Sequence, residues 1–452
     1  MRLWLALTWM AVLCAAAWTY ARIPGNREVA VFDTNPPTPY FHYSPTGTSR
    51  GRILVVHGLD ASKNGMNILC YALADAGFEV FAMDLPGHGD STAGFTIFGA
   101  RDAIAQVLDR LGPDTAVLGH SLGGALLLDI AGDRRIPKMV LFSPAPIPLD
   151  VVRVDRLLVL EGQFDPGHIR TFATQIRTAA IGSMDYRDMA WTGHSGGLFR
   201  PGTIDDVAGW LGGSENSGHS ARRLALIATM SGAGLLAAIS FLGMLPGQKV
   251  KQEGSPRAAL IVVYYVGAAC AGALILSVVE VGTWLRLYAT DYLVSMVLLT
   301  GLVLLSRCRP QMQLTLRNVG IALAAAAALI ALLQLSTSEV AHFALSGDRW
   351  WRFPGILACS VPLFLADEAL LRANPLTAFV TRVLIGAIVV MGALILNREA
   401  AFLLLLMPAI VVLWIILLMM SHFVRRRTDP VATALFASVV QAWIFSALFV
   451  TT

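Results

Sequence analysis

Charge is what this sequence has least of. Asp, Glu, Lys and Arg together supply 14% of the 452 residues against 56% hydrophobic, and the mean hydropathy is +0.63. Ordinary soluble domains are about 25% charged, so a wholly soluble protein is excluded. The basic residues do not gather on one face or along one helix, and the net charge is only +4, so nucleic-acid binding has no footing. Cysteine is scarce as well. Cys14, Cys70, Cys270, Cys308 and Cys359 show no metal-ligand spacing, and only Cys70 falls in the part that reads as soluble. No disulfide can form within that part, and the cysteines do not report a compartment.

The shortage of charge is local, and it divides the chain. Residues 1–22 hold an uncharged apolar run behind Arg2, either a cleaved export signal or a retained anchor; its length favours the anchor. Residues 23–213 mix polar and apolar positions. Residues 214–222 are a Gly/Ser-rich linker in which His219 is expected to be solvated. Residues 223–452 carry apolar runs at about 223–245, 258–279, 285–306, 318–336, 353–371, 376–396, 400–422 and 431–450, each near the length that crosses a bilayer as a helix. The run 353–371 contains Pro362 and ends in Asp367-Glu368. Counting it as a crossing places Lys249, Lys251, Arg257, Arg307, Arg309, Arg317, Arg372 and Arg425-Arg426-Arg427 on one side, which the positive-inside rule makes cytoplasmic.

The expectation is therefore an all-α transmembrane bundle of about eight helices in the cell (cytoplasmic) membrane, with residues 23–213 on the extracytoplasmic side. Arg222-Arg223 runs against the rule. The one long outer loop, Ser336 to Arg352, carries Glu339, His342, Trp350 and Trp351; the tryptophans suit an interfacial belt, or could help cover the soluble domain's site. Glu280, Asp291 and Asp367-Glu368 lie near expected helix ends, where headgroups would hydrate them.

In the soluble part, strand and helix signals alternate. Glu28 to Phe32 and Pro39 to Tyr43 read as a hairpin. Strands follow at Gly51 to Val56, Phe78 to Met83, 115–119, Met139 to Phe142, Leu157 to Leu160 and Met184 to Ala190, with helices at 64–76, 100–111, 122–132, 167–180 and 203–211 between or after them. This predicts an α/β fold with a doubly wound, mostly parallel sheet and ligands at the carboxyl ends of its strands. The stretch Val117 to Leu128 runs from strand through Gly119-His120-Ser121-Leu122-Gly123 directly into a helix. Such a turn projects its serine hydroxyl, and the two glycines let the backbones pass closely.

With Gly119 to Gly123, His57-Gly58 and Asp84 to Ser91 all in order, Glu28 to Gly213 resembles the α/β-hydrolase family. The resemblance implies Ser121 as nucleophile, Asp165 as the acid after a later strand and His194 as the base after the last strand. It also implies an oxyanion hole made by the backbone N–H groups of Leu59 and Leu122. In such a set the imidazole takes the serine proton while the carboxylate orients it and stabilises its charged form. No metal or cofactor is expected. His57 and His88 are expected to shape loops, Asp84 and Asp90 to fix the turn at Pro86-Gly87, and His168 and Asp155 to lie out of place for catalysis. Only about Ser143 to Arg156 separates the two strands between which many members insert a cap, so no large cap is expected.

The function expected is a membrane-embedded serine hydrolase that cleaves an ester or thioester, with a membrane lipid or lipid-linked acyl group as substrate partner, through an acyl-enzyme. The oligomeric state is left open. The rival is a transporter or receptor whose hydrolase-like domain binds a ligand, and an acyltransferase would use the same triad.

Overall fold

The computed structural model describes residues 2–213, 218–244, 258–279, 283–308, 314–371, 375–396 and 400–452. Glu280, Lys249, Lys251, Arg257, Arg309, Arg372 and residues 214–217 of the linker lie outside them. By packing, the chain forms two units. One comprises Leu13–Ser231, Ser336–Gly347 and Val450–Thr452; the other comprises Met1–Val12, Gly232–Leu335 and Asp348–Phe449.

The first unit is built on an eight-stranded sheet. The elements up to residue 213 are, in chain order, α1 (Arg2–Ala21), β1 (Asn26–Phe32), β2 (Thr38–Ser44), β3 (Arg52–Val56), α2 (Asn67–Asp75), β4 (Glu79–Met83), α3 (Ile97–Leu111), β5 (Ala116–His120), α4 (Leu122–Asp133), β6 (Ile136–Phe142), β7 (Val152–Gly162), α5 (Gly167–Ala179), β8 (Ala180–Met189) and α6 (Pro201–Leu211). The strand order is β1-β2-β4-β3-β5-β6-β7-β8. β1, β2 and β4 pair antiparallel, and every other pair is parallel.

Central strands covered on both faces cannot alternate polar with apolar, and β3 and β5 are accordingly almost unbroken apolar runs. Val55 pairs with Leu118 and Leu118 with Val140, which puts the carboxyl ends of β3, β5 and β6 at one edge. Helix α3 begins where Thr96 accepts a hydrogen bond from Gly99 N–H at 2.9 Å and turns Ala103, Ile104, Val107 and Leu108 inward. Only Ser143–Val151 lies between β6 and β7, so no cap is inserted there.

Eight helices follow: α7 (His219–Leu242), α8 (Ala258–Val278), α9 (Asp291–Leu305), α10 (Leu316–Thr337), α11 (Arg349–Leu370), α12 (Pro375–Ile395), α13 (Leu403–Arg425) and α14 (Pro430–Leu448). Among the described residues, eight helices are long and apolar enough to cross a membrane, namely α1 and all of these but α9. They fit a multi-pass membrane protein. The run 285–306 was expected to span by itself. Instead, Thr283–Leu285 forms a short 3-10 turn, Arg286 and Ala289 take positive φ, and the helix starts only at Asp291. Its 15 residues reach roughly 22 Å, short of the ~30 Å hydrocarbon core.

Hydration by headgroups is also corrected for the acidic residues. Asp367 and Glu368 are buried inside the helical unit, where Tyr265 donates to Asp367 at 2.7 Å, Arg382 pairs with Asp367, and Arg425 grips Glu368 at 2.5 and 2.8 Å. Asp291 is buried too, and accepts from Leu287 N–H at 3.1 Å. Each carboxylate is met by protein donors, which is how buried charge is made tolerable. His219 opens α7 partly exposed and lies 3.3 Å from Asp75, so it is paired as well as partly solvated.

Candidate active site

Ser121 sits between β5 and α4 at φ 49° and ψ −115°, a conformation that L residues avoid. Three backbone bonds over-determine it. Its N–H donates to the Phe142 carbonyl at 2.9 Å, and its own carbonyl accepts from Ala125 N–H at 3.0 Å and Ala145 N–H at 3.1 Å. The flanking glycines are there for lack of space. A side chain on Gly119 would come within 2.6 Å of Gly124 N, and one on Gly123 within 2.5 and 2.6 Å of the Val56 and His57 carbonyl oxygens.

Asp165 follows β7 and is buried. Its Oδ1 meets His194 Nδ1 at 2.7 Å, while Oδ2 accepts from Ser143 Oγ at 2.6 Å and from Gly162 N–H at 2.7 Å. Burial by itself would push this carboxyl up. The hydrogen bonds from His194, Ser143 and Gly162 outweigh it, and the net position is below the ordinary carboxylate range. His194 Nε2, the nitrogen left over, is buried and has no hydrogen-bond partner among the described residues. An imidazole held at Nδ1 by a carboxylate, with Nε2 unengaged, has the form of a general base.

His194 lies beside the serine turn through His120, whose ring centroid is 5.1 Å from that of His194. His120 Nε2 is 3.2 Å from the His194 carbonyl oxygen, so the neutral tautomer that donates there is assigned. Burial, and then the neighbouring His194, push His120 down to about 3, which keeps it uncharged. Leu122, the first residue of α4, has an N–H without an acceptor in its own helix. On the other side, a Cβ added to Gly58 would lie 2.8 Å from His120 Nδ1 and 3.1 Å from Ser121 Cβ, so the loop carrying Leu59 passes directly over the serine.

The other sequence-selected residues fall outside this constellation. His57 is buried, with Nδ1 2.8 Å from the Gly58 carbonyl oxygen and Nε2 accepting from Leu85 N–H at 3.1 Å. His88 donates to the Pro86 carbonyl at 2.8 Å. Asp84 accepts from Lys63 N–H at 2.8 Å, from Asp90 N–H at 2.9 Å and from the Lys63 ammonium, which also lies 2.6 Å from Asp90. His168 is exposed, and Asp155 pairs with Arg135 at 2.7 Å. Three residues went unselected. His120 had a signal in its place within the serine turn. Ser143 stands at the end of β6 with φ 43°, but nothing local marks its reach to Asp165. Lys63 looks like any surface lysine.

Residues 51–194 match the alpha/beta hydrolase fold family. The strand order, the strained serine turn and this match make the segment an α/β hydrolase domain. Among curated relatives, monoglyceride lipase of Homo sapiens is 34% identical over 115 residues, 23% of this chain and 38% of the relative. The dihydrolipoyllysine-residue acetyltransferase component of the acetoin cleaving system of Cupriavidus necator is 32% identical over 136 residues, 29% of this chain and 33% of the relative. The Burkholderia vietnamiensis hydrolase of 2-hydroxy-6-oxononadienedioate and 2-hydroxy-6-oxononatrienedioate is 33% identical over 113 residues, 23% of this chain and 39% of the relative. The chain thus spans well under half the length of these relatives. Of solved structures, a soluble variant of Saccharomyces cerevisiae monoglyceride lipase aligns with TM-score 0.37 and 13% identity over 42% of this chain and 96% of that one.

Proposed function

We propose that the protein is a membrane-bound serine hydrolase acting on an ester or thioester, with Ser121, His194 and Asp165 as its catalytic triad. The carrying observation is the Asp165–His194 hydrogen bond at 2.7 Å, beside a serine held at positive φ. In the proposed reaction His194 Nε2 removes the Ser121 proton as Oγ attacks the acyl carbonyl. The resulting oxyanion is held by the N–H groups of Leu59 and Leu122. Collapse expels the leaving alcohol or thiol, protonated by His194, and a water activated by the same imidazole releases the acyl group.

A lipid or lipid-linked acyl substrate is the favoured class. The absence of an insertion between β6 and β7 leaves room for a bulky substrate, and monoglyceride lipases are among the relatives. The domain is proposed to work on the extracytoplasmic side. Arg223, which opposed that orientation by charge count, is buried against Tyr71, with its guanidinium 3.9 Å from the ring and a hydrogen bond to the Pro24 carbonyl. It therefore has a structural role and drops out of the count.

The test is activity-based labelling. A fluorophosphonate should label wild type and fail on Ser121→Ala, and turnover of a soluble ester should drop by about 10³-fold or more in that variant. Folded wild type that resists the probe would end the proposal.

A further inference from the structure

The loop beside Ser121 has a piece of chain distant in sequence fastened to it. Val450–Thr452 follows directly on α14 in sequence, yet packs as part of the hydrolase unit. Thr451 bridges the loop after β4 in both directions: its N–H donates to the Gly87 carbonyl at 3.1 Å, and its carbonyl accepts from Phe95 N–H at 2.7 Å. Gly94 is closely covered, since a Cβ there would lie 2.9 Å from the carbonyl carbon of Thr452. Val450 N–H donates to Asp60 Oδ1 at 3.1 Å.

Asp60 is the residue after Leu59, and it stands at φ 52°. Left-handed backbone at a non-glycine residue persists only where its surroundings hold it. The direction of Asp60 fixes how the His57-Gly58-Leu59 turn leaves the top of β3, and with it the aim of the Leu59 N–H. An oxyanion donor works only when it is already in place before charge develops; losing one lowers kcat about 10²–10³-fold. A single part-buried hydrogen bond adds little to global stability, so the consequence of this one falls on catalysis.

We propose that Val450–Thr452 is a positioning strap for the oxyanion loop, holding the Leu59 N–H on target through the bond from Val450 to Asp60. The proposal rests on the serine hydrolase function above. It makes catalysis depend on a segment more than two hundred and fifty residues beyond His194 in sequence, joined to the last helix of the bundle.

Proline at 450 tests it, because it deletes the N–H. Phe449 already lies at φ −70° and ψ 142°, the extended geometry that a residue before proline prefers, so the substitution strains little else. In full-length protein assayed with a short soluble p-nitrophenyl ester, Val450→Pro should lower kcat about 10-fold or more with KM within about twofold. Asp60→Ala should do the same. Asp60→Asn, which keeps an acceptor oxygen for Val450 N–H, should restore most of kcat. Unchanged kcat in Asp60→Ala overturns the proposal, and so does an equal loss in Asp60→Asn and Asp60→Ala. The Asp60 pair decides the matter even if Val450→Pro does not fold. Wild type that neither turns over ester nor labels with fluorophosphonate overturns the hydrolase function itself, a result distinct from loss confined to the variants.

Discussion

Two carboxyls four residues apart, Asp165 and Glu161, are driven in opposite directions by their surroundings. Asp165 has three donors and sits low, so its contribution to stability is present above the unfolded carboxylate range and is lost as pH falls through its folded value. Glu161 is fully buried with one donor, Tyr186 Oη at 3.0 Å, and burial, reinforced by the Asp165 charge, lifts it from 4.5 to about 7. The sign then reverses. The folded state disfavours ionised Glu161, so stability is full below about 4.5, declines as pH rises towards 7, and stays low above that. At 1.36 kcal/mol per pH unit between the two values, the penalty is on the order of 3 kcal/mol at pH 8. Glu161→Gln keeps an acceptor for Tyr186 and removes the titration. Its melting temperature should exceed that of wild type at pH 8 and come close to it at pH 4, below the unfolded value; an equal gain at both would contradict this account.

At the scale of elements, the strand–turn–helix around Ser121 depends on β3 and α4 approaching closely. Gly123→Ala sets a methyl against the Val56 and His57 carbonyl oxygens, which are main-chain groups and cannot swing away. Overpacking of this kind costs about 1–3 kcal/mol, and here it also pushes the Leu59 loop off the serine. The variant should melt earlier and label slowly with fluorophosphonate, and a wild-type labelling rate would show that the approach is not critical. This unit was legible in the sequence because buried parallel strands are written as unbroken apolar runs, and because the loops that carry Ser121, Asp165 and His194 each have a local signature. The support behind them was not legible. Ser143 reaches Asp165 across 22 residues and His120 reaches His194 across 74, contacts that only the sheet register creates. In the helical half, hydropathy located the runs but could not tell that the stretch at 285–306 begins with turns, nor that Asp367 and Glu368 would find Arg382 and Arg425.

For the whole molecule, the number of crossings expected turns on the short helix α9. If α1 and α7–α14 all cross, the side that holds the hydrolase segment also holds Ser336–Gly347 and Val450–Thr452, besides the links between α8 and α9 and between α12 and α13. The hydrolase segment, Ser336–Gly347 and Val450–Thr452 pack as one unit. Arg27 pairs with Glu339 at 2.8 Å, Asn64 Nδ2 donates to the Ser338 carbonyl at 2.7 Å, and Val450 is bound to Asp60. Leaving α9 out would put Ser336–Gly347 across the bilayer from residues to which it is hydrogen-bonded, so α9 is expected to cross despite its length, with local thinning or flanking residues absorbing the mismatch. Arg425 to Arg427 are then expected on the cytoplasmic side. In a background with the native cysteines replaced, a single cysteine at Ser49 should react with a membrane-impermeant maleimide in intact cells. One at Arg426, exposed on the protein surface, should react only after permeabilisation. Reaction of both in intact cells would mean that the chain crosses a different number of times from the nine expected. Reaction of Arg426→Cys alone would invert the whole chain and place the hydrolase site in the cytoplasm.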